Sequence, residues 1–165
     1  MTFAPRTWVV GEVVTAALLN QELRDQFNSM FGAWTSYTPT WTGSVSNPVI
    51  GNGTLTGRYM KWGRTVLAEL YLVPGGTTTF GSGTYTFGAP VAKAASGTES
   101  GGYARLSAGS TYIGQCVLSP SSSSMNVTFP STATPATAVN MSNTTPATLA
   151  AAHVLRMGIS YEAAT

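Results

Sequence analysis

From residue 36 onward, turn signals recur roughly every 8–15 residues, and Thr, Val and Tyr dominate the stretches between them. Segments of that length suit strands and leave little room for helices of ordinary size. The clearest strand is Thr65–Val73, where Val66, Ala68, Leu70 and Leu72 recur at every second position and would line a core. Its other face carries Thr65, Leu67, Glu69, Tyr71 and Val73, a mixture that reads as only partly wet. In Val154–Glu162 the residues Leu155, Met157, Ile159 and Tyr161 alternate with Arg156, Gly158, Ser160 and Glu162, the pattern of a half-buried strand. Residues 112–118 and 125–129 are further strands. Asn47-Pro48, Asn52-Gly53, Pro74-Gly75-Gly76, Gly81-Ser82-Gly83, Gly101-Gly102 and Ala108-Gly109 mark turns. About eight short strands with no helices between them imply an antiparallel sandwich or barrel. Residues 119–147, dominated by Ser, Thr, Ala and Pro, read as long loops around short strands.

The first 35 residues have a different character. Thr15 is a good N-cap, because its hydroxyl can accept from a free amide of the first turn. Gly32 can end a helix in the left-handed conformation. Between them Leu19, Leu23, Phe27, Met30 and Trp34 form one apolar stripe, widened by Leu18 and Phe31, while Glu22, Arg24, Asp25 and Asn28 lie off it. A helix of about five turns is marginal alone in water, so the stripe needs something to pack on. Ahead of it, Phe3, Pro5, Trp8, Val9 and Val10 make an extended apolar arm, which we read as docking into a partner. The expected division is an anchor arm and helix over residues 1–35 and a β domain over residues 36–165.

Charged residues make up 8 % of the chain and the net charge is +2, so no clustered basic face of the kind that binds nucleic acid is expected. Arg58, Lys61 and Arg64, interleaved with Tyr59 and Trp62, read as a solvated rim. The single Cys116 excludes a disulfide within the chain and a cysteine-based zinc cage, and the single His153 excludes every two-histidine motif. No apolar run is long enough to make a membrane helix, and Met1 to Arg6 lack the layout of a signal peptide, so the reading expects synthesis in a cytoplasm without membrane insertion.

Acids and bases are equally scarce. Asp25 is the only Asp, and Glu69, Glu99 and Glu162 are the carboxylates of the β region. Glu69 and Glu162 read as solvated strand residues, His153 as a structural or surface residue, and Cys116 as a small buried one without an activating base. No catalysis, cofactor or metal is expected. Tyr37, Trp41 and Trp62 are candidate glycan contacts, since exposed aromatic rings stack on sugars and the neighbouring threonines offer hydroxyls. The same period equally lets Tyr37 and Trp41 face inward and build the core.

Two segments are familiar together. Trp8 to Asn20 resembles the N-terminal segment of many tailed-bacteriophage fibre and tail-associated proteins, in which a Thr-Ala–x–x–Leu-Asn pattern opens a short helix. Tyr37-Thr38-Pro39-Thr40-Trp41-Thr42-Gly43, followed by Asn47-Pro48 and by Gly51 to Tyr59, is similar to the opening of a β-rich domain in phage virion surface proteins, especially of phages that infect actinobacteria. The final Gly158 to Glu162 suits such a domain. The resemblance covers about residues 8–60 and implies a virion structural protein, either a head fibre or decoration or a tail fibre or minor tail protein. It also implies an antiparallel sandwich or jelly-roll-like domain and a homotrimer closed by Leu19, Leu23, Phe27, Met30 and Trp34. Phe3, Trp8, Val9 and Val10 would then anchor the chain to other capsid or tail proteins. The β domain would be displayed on the virion surface toward host glycans, and assembly would take place in the host cytoplasm. The alternative within this reading is a tail receptor-binding adhesin or carbohydrate-binding module.

Overall fold

The computed structural model describes residues 6–25, 27–28, 32–95 and 97–164. A short helix, α1 (Ala16–Leu19), runs into a π-helical stretch at Asn20–Arg24. Ten strands follow: β1 (Thr35–Tyr37), β2 (Trp41–Gly43), β3 (Thr54–Trp62), β4 (Thr65–Val73), β5 (Tyr85–Gly88), β6 (Ser100–Ala108), β7 (Ser110–Leu118), β8 (Ser124–Pro130), β9 (Ala138–Asn140) and β10 (Val154–Glu162).

All strand pairings are antiparallel and form one sheet in the order β1-β3-β4-β10-β6-β7-β8-β5-β2, with β9 also on β8. The mainly β, antiparallel expectation therefore holds. Where a sandwich would have two sheets, the pairing here runs without a break through nine strands. The sheet instead curls around its own apolar face. One buried cluster takes Leu70 and Leu72 from β4, Leu155 and Met157 from β10, Leu106 from β6, Cys116 and Leu118 from β7, Val127 and Phe129 from β8, and Phe87 from β5. Alternation along each strand makes this possible, since every second side chain is delivered to the concave side.

Residues 35–43 bring the two ends of the strand order together. Their first half pairs with β3 and their second half with β5, with the buried Pro39 at the bend between them. Tyr37 lies opposite Gly57, and a Cβ on that glycine would collide with the tyrosine ring. At the other end Gly88 N–H donates to Thr40 O at 2.9 Å, and the Thr40 side chain occupies the space a Cβ at Gly88 would need. The β3–β4 hairpin turns on Gly63 and Arg64, with Gly63 at φ +54° in the first central position, where a two-residue turn of the II′ kind needs glycine.

The N-terminal segment makes its own local structure. The Thr15 hydroxyl accepts from Leu18 N–H at 3.2 Å, as a cap should. Arg6 pairs with Glu12, lies 5.4 Å from the Trp8 ring and donates its backbone N–H to Glu22. Among the described residues, the hydrogen bonds and ion pairs of residues 6–25 stay within that segment. Among the described residues, helical backbone continues past the π stretch at residues 25, 27 and 28. The stretch at Asn20–Arg24 takes the wider π form, and Asp25 and Asn28 border a depression whose other side is Tyr59, Met60 and Lys61 of the β domain.

Candidate functional site

On the convex side of the sheet, strand register lines up side chains from distant parts of the chain. One row reads Ser36, Arg58, Glu69, Gly158, Tyr103 and Gln115 across β1, β3, β4, β10, β6 and β7. The next row reads Thr56, Tyr71, Arg156, Arg105 and Ile113. These positions face away from the core because their strand neighbours Leu70, Leu72, Leu155, Met157, Ala104 and Leu106 are the buried set.

Within this surface Arg58 reaches Glu69 Oε2 through Nε at 2.8 Å and Nη2 at 2.7 Å, and its guanidinium lies 5.0 Å from the Trp34 ring. Arg156 lies 5.2 Å from the ring of Tyr71, its direct cross-strand partner. Tyr103 is 53 % exposed, and the outer end of its ring lies over Gly158, in the place a side chain there would fill. Two grooves meet at Glu69 and Tyr103. One, of about 350 Å³, is lined by Ser36, Thr56, Arg58, Tyr71 and Arg156. The other, of about 360 Å³, is lined by Trp34, Leu67, Gly158 and Ser160. Two more depressions lie elsewhere: one of about 400 Å³ near Asp25, Asn28 and Lys61, and a more apolar one of about 500 Å³ between Ile113, Phe129 and residues 136–138.

The candidate glycan aromatics separate sharply. Trp41 is 7 % exposed, stacked on Phe87 at 6.2 Å and set edge-on to Tyr85 at 5.3 Å. Its ring is part of the core and offers no face to a sugar, which corrects its assignment as a glycan contact. Tyr37 is half-buried, edge-on to Tyr59 at 5.9 Å, and burial raises its pKa far above the ordinary tyrosine value, with the nearby Tyr161 and Cys116 adding to the effect. It serves closure of the sheet. Trp62 is partly exposed at the end of β3, away from both grooves. Within the chain Trp8, Val9, Val10, Leu19, Leu23 and Phe27 are all exposed. Trp34 is half-buried beneath Arg58. Phe3 and Met30 lie outside the described residues.

The groups that could do chemistry are held apart. Glu69 and Glu162 share the convex face of β4 and β10, but register sets them four residues apart along the ladder, roughly 13 Å at strand rise. Backbone positions that far apart do not set up the facing carboxyl pair that glycoside hydrolysis uses. Each also has its own arginine, Glu162 pairing with Arg64 at 3.1 Å. Glu99 accepts from the Ser119 hydroxyl at 2.8 Å, and His153 Nδ1 accepts from Ala150 N–H at 3.2 Å in a turn. Burial pushes the Cys116 thiol up to about 11, so it stays protonated and is no nucleophile. Among the described residues no three His, Cys, Asp or Glu side chains gather as a metal site would require.

No family model matches the chain, and no curated protein or solved structure matches it either.

The residues that form the grooves were only half visible in the sequence. Tyr71 and Arg156 stand out of phase with the apolar alternation of their strands, as does Tyr103, which precedes the alternating Ala104, Arg105 and Leu106. That phase is the available signal. It tells which face a side chain takes, and not which strands lie beside it.

Proposed function

We propose that this chain is a non-enzymatic structural protein of a phage particle, a trimeric decoration or fibre protein held by its N-terminal arm and displaying the β domain outward. The observation that carries this reading is the apolar N-terminal segment, whose Val9, Val10, Val13, Val14, Leu19, Leu23 and Phe27 are exposed in the single chain. So many large apolar side chains left exposed within one short segment mark an interaction surface. Two occupants follow from its two parts: other copies of the chain on the helical stripe, and a capsid or tail protein on the arm. The resemblance of residues 8–20 and 37–59 to virion proteins supports the particle as the setting. The scattered carboxylates and protonated Cys116 support a role without chemistry.

The test is to weigh the intact chain in solution and then remove residues 1–12. The intact chain is expected at the mass of a trimer, and the truncated chain is expected to fold but fail to join particles. A monomer at micromolar concentration overturns the trimer, and normal incorporation of the truncated chain overturns the anchor.

The convex grooves favour the adhesin form of this reading, in which the displayed domain touches the host. Exposed Tyr71 and Tyr103 beside Arg58, Glu69 and Arg156 are the kind of surface that binds a polar ligand with ring faces.

A further inference from the structure

We infer that the convex face of β4, β10 and β6 binds an acidic saccharide, with a sugar ring on Tyr103 and its carboxylate on Arg156 and Arg105. The inference deepens the display reading by naming the ligand class and the residues that select it, and it needs only that this face is open to solvent.

Tyr103 supplies the platform. It is a large aromatic residue left more than half exposed, next to the fully buried Ala104 on the same strand. Gly158, directly opposite it, leaves the backbone bare, and the ring's outer end occupies that space. A ring held against backbone loses little freedom when a ligand stacks on it, so binding is pre-organised. Tyr71 adds a second aromatic residue one row away, at the other side of the groove.

The arginines supply the charge selection. Arg156 and Arg105 stand directly opposite each other on paired antiparallel strands, an arrangement that destabilises a sheet when like charges have no counter-ion. Among the described residues neither has a carboxylate partner, because the one acid of this patch, Glu69, is held by Arg58. Three arginines against one glutamate leave an excess of two positive charges on this patch. A planar guanidinium matches a carboxylate with two parallel hydrogen bonds, which a neutral sugar cannot return.

The rest of the groove fits a sugar better than a nucleic acid. Ser36, Thr56 and Ser160 line the two grooves with hydroxyls, and the grooves join at Tyr103 so that more than one sugar unit can lie along them. A nucleic acid needs a series of phosphate contacts along its track, and Glu69 stands at the junction where one would fall.

The experiment is calorimetric titration of the full chain with uronate-bearing and sialate-bearing trisaccharides, a neutral trisaccharide and triglutamate. At least one acidic trisaccharide is expected to bind, with the neutral sugar and triglutamate at least about tenfold weaker. Tyr103→Ala, Arg156→Gln and Arg105→Gln are each expected to weaken binding about tenfold or more with an unchanged unfolding midpoint. All three positions are exposed, so at least one variant can be relied on to fold. Added salt is expected to weaken the acidic sugar selectively. Absence of binding to every acidic trisaccharide overturns the inference, as does triglutamate binding equally well and surviving Tyr103→Ala. Light scattering on the same samples separates the two proposals. A trimer that binds no acidic sugar sinks this one alone, and a monomer that binds one sinks the trimer alone.

Discussion

The Tyr37 hydroxyl donates to the Gly88 carbonyl at 3.4 Å and so joins the first strand of the sheet order to the eighth. The same tyrosine lies against Gly57 on β3, so one side chain touches both ends of the curl. Closure therefore depends on two glycines that make room, Gly57 for the ring of Tyr37 and Gly88 for the side chain of Thr40.

Gly57→Ala is expected to destabilise the domain by about 1–3 kcal/mol, because the new methyl group meets an aromatic ring packed between strands. Gly101→Ala, where nothing lies within 4 Å of an added Cβ, is expected to be neutral or slightly stabilising. Urea unfolding of the two variants side by side checks this, and equal midpoints would show that Tyr37 is not fixed by Gly57.

Phe87→Ala removes a fully buried ring that stacks on Trp41 and is expected to cost about 3–5 kcal/mol. Ile113→Ala, at an exposed position of β7, is expected to change stability by less than about 0.5 kcal/mol. Thermal unfolding of both variants measures the contrast between the faces of the curled sheet.

Stability is expected to be flat through neutral pH and to fall as the solution turns alkaline. Burial pushes Cys116 from 9.0 up to about 11, and Tyr85 and Tyr161 from 10.0 up to about 12. The folded chain therefore holds these protons more tightly than the unfolded chain, which releases them first as pH rises. Each contribution is fully present below the unfolded value and is lost between the unfolded and folded values. Urea midpoints should match at about pH 7 and pH 8 and decline from about pH 9 upward. For the same reason an alkylating reagent at neutral pH should reach Cys116 only after unfolding.

Leu23→Ala and Phe27→Ala are expected to leave the unfolding midpoint of the β domain unchanged, because both side chains are more than half exposed in the single chain, at 53 % and 57 %. If the stripe joins three copies, each change removes about 2–5 kcal/mol per chain from the seam and the mass in solution falls toward one chain. Sedimentation at several concentrations checks the mass, and circular dichroism checks the fold. An unchanged mass would place the contacts between copies elsewhere.

The sequence by itself determined the β character of the domain, the faces of its longest strands and the start of its helix. β4 and β10 begin and end where alternation predicts, and Thr15 caps the helix. All of these are local properties: a two-residue period and a hydroxyl near a free amide are written within a few neighbouring residues. Tertiary structure decided what lies beside what. β10 enters between β4 and β6, which puts Glu69, Gly158 and Tyr103 in one row although they are far apart in the chain. It also turned Trp41 inward, because the bend at Pro39 sends that strand to β5, where Phe87 and Tyr85 receive the ring. Period assigns a residue to one of two faces, and only pairing between distant strands decides which face closes into a core and which stays exposed.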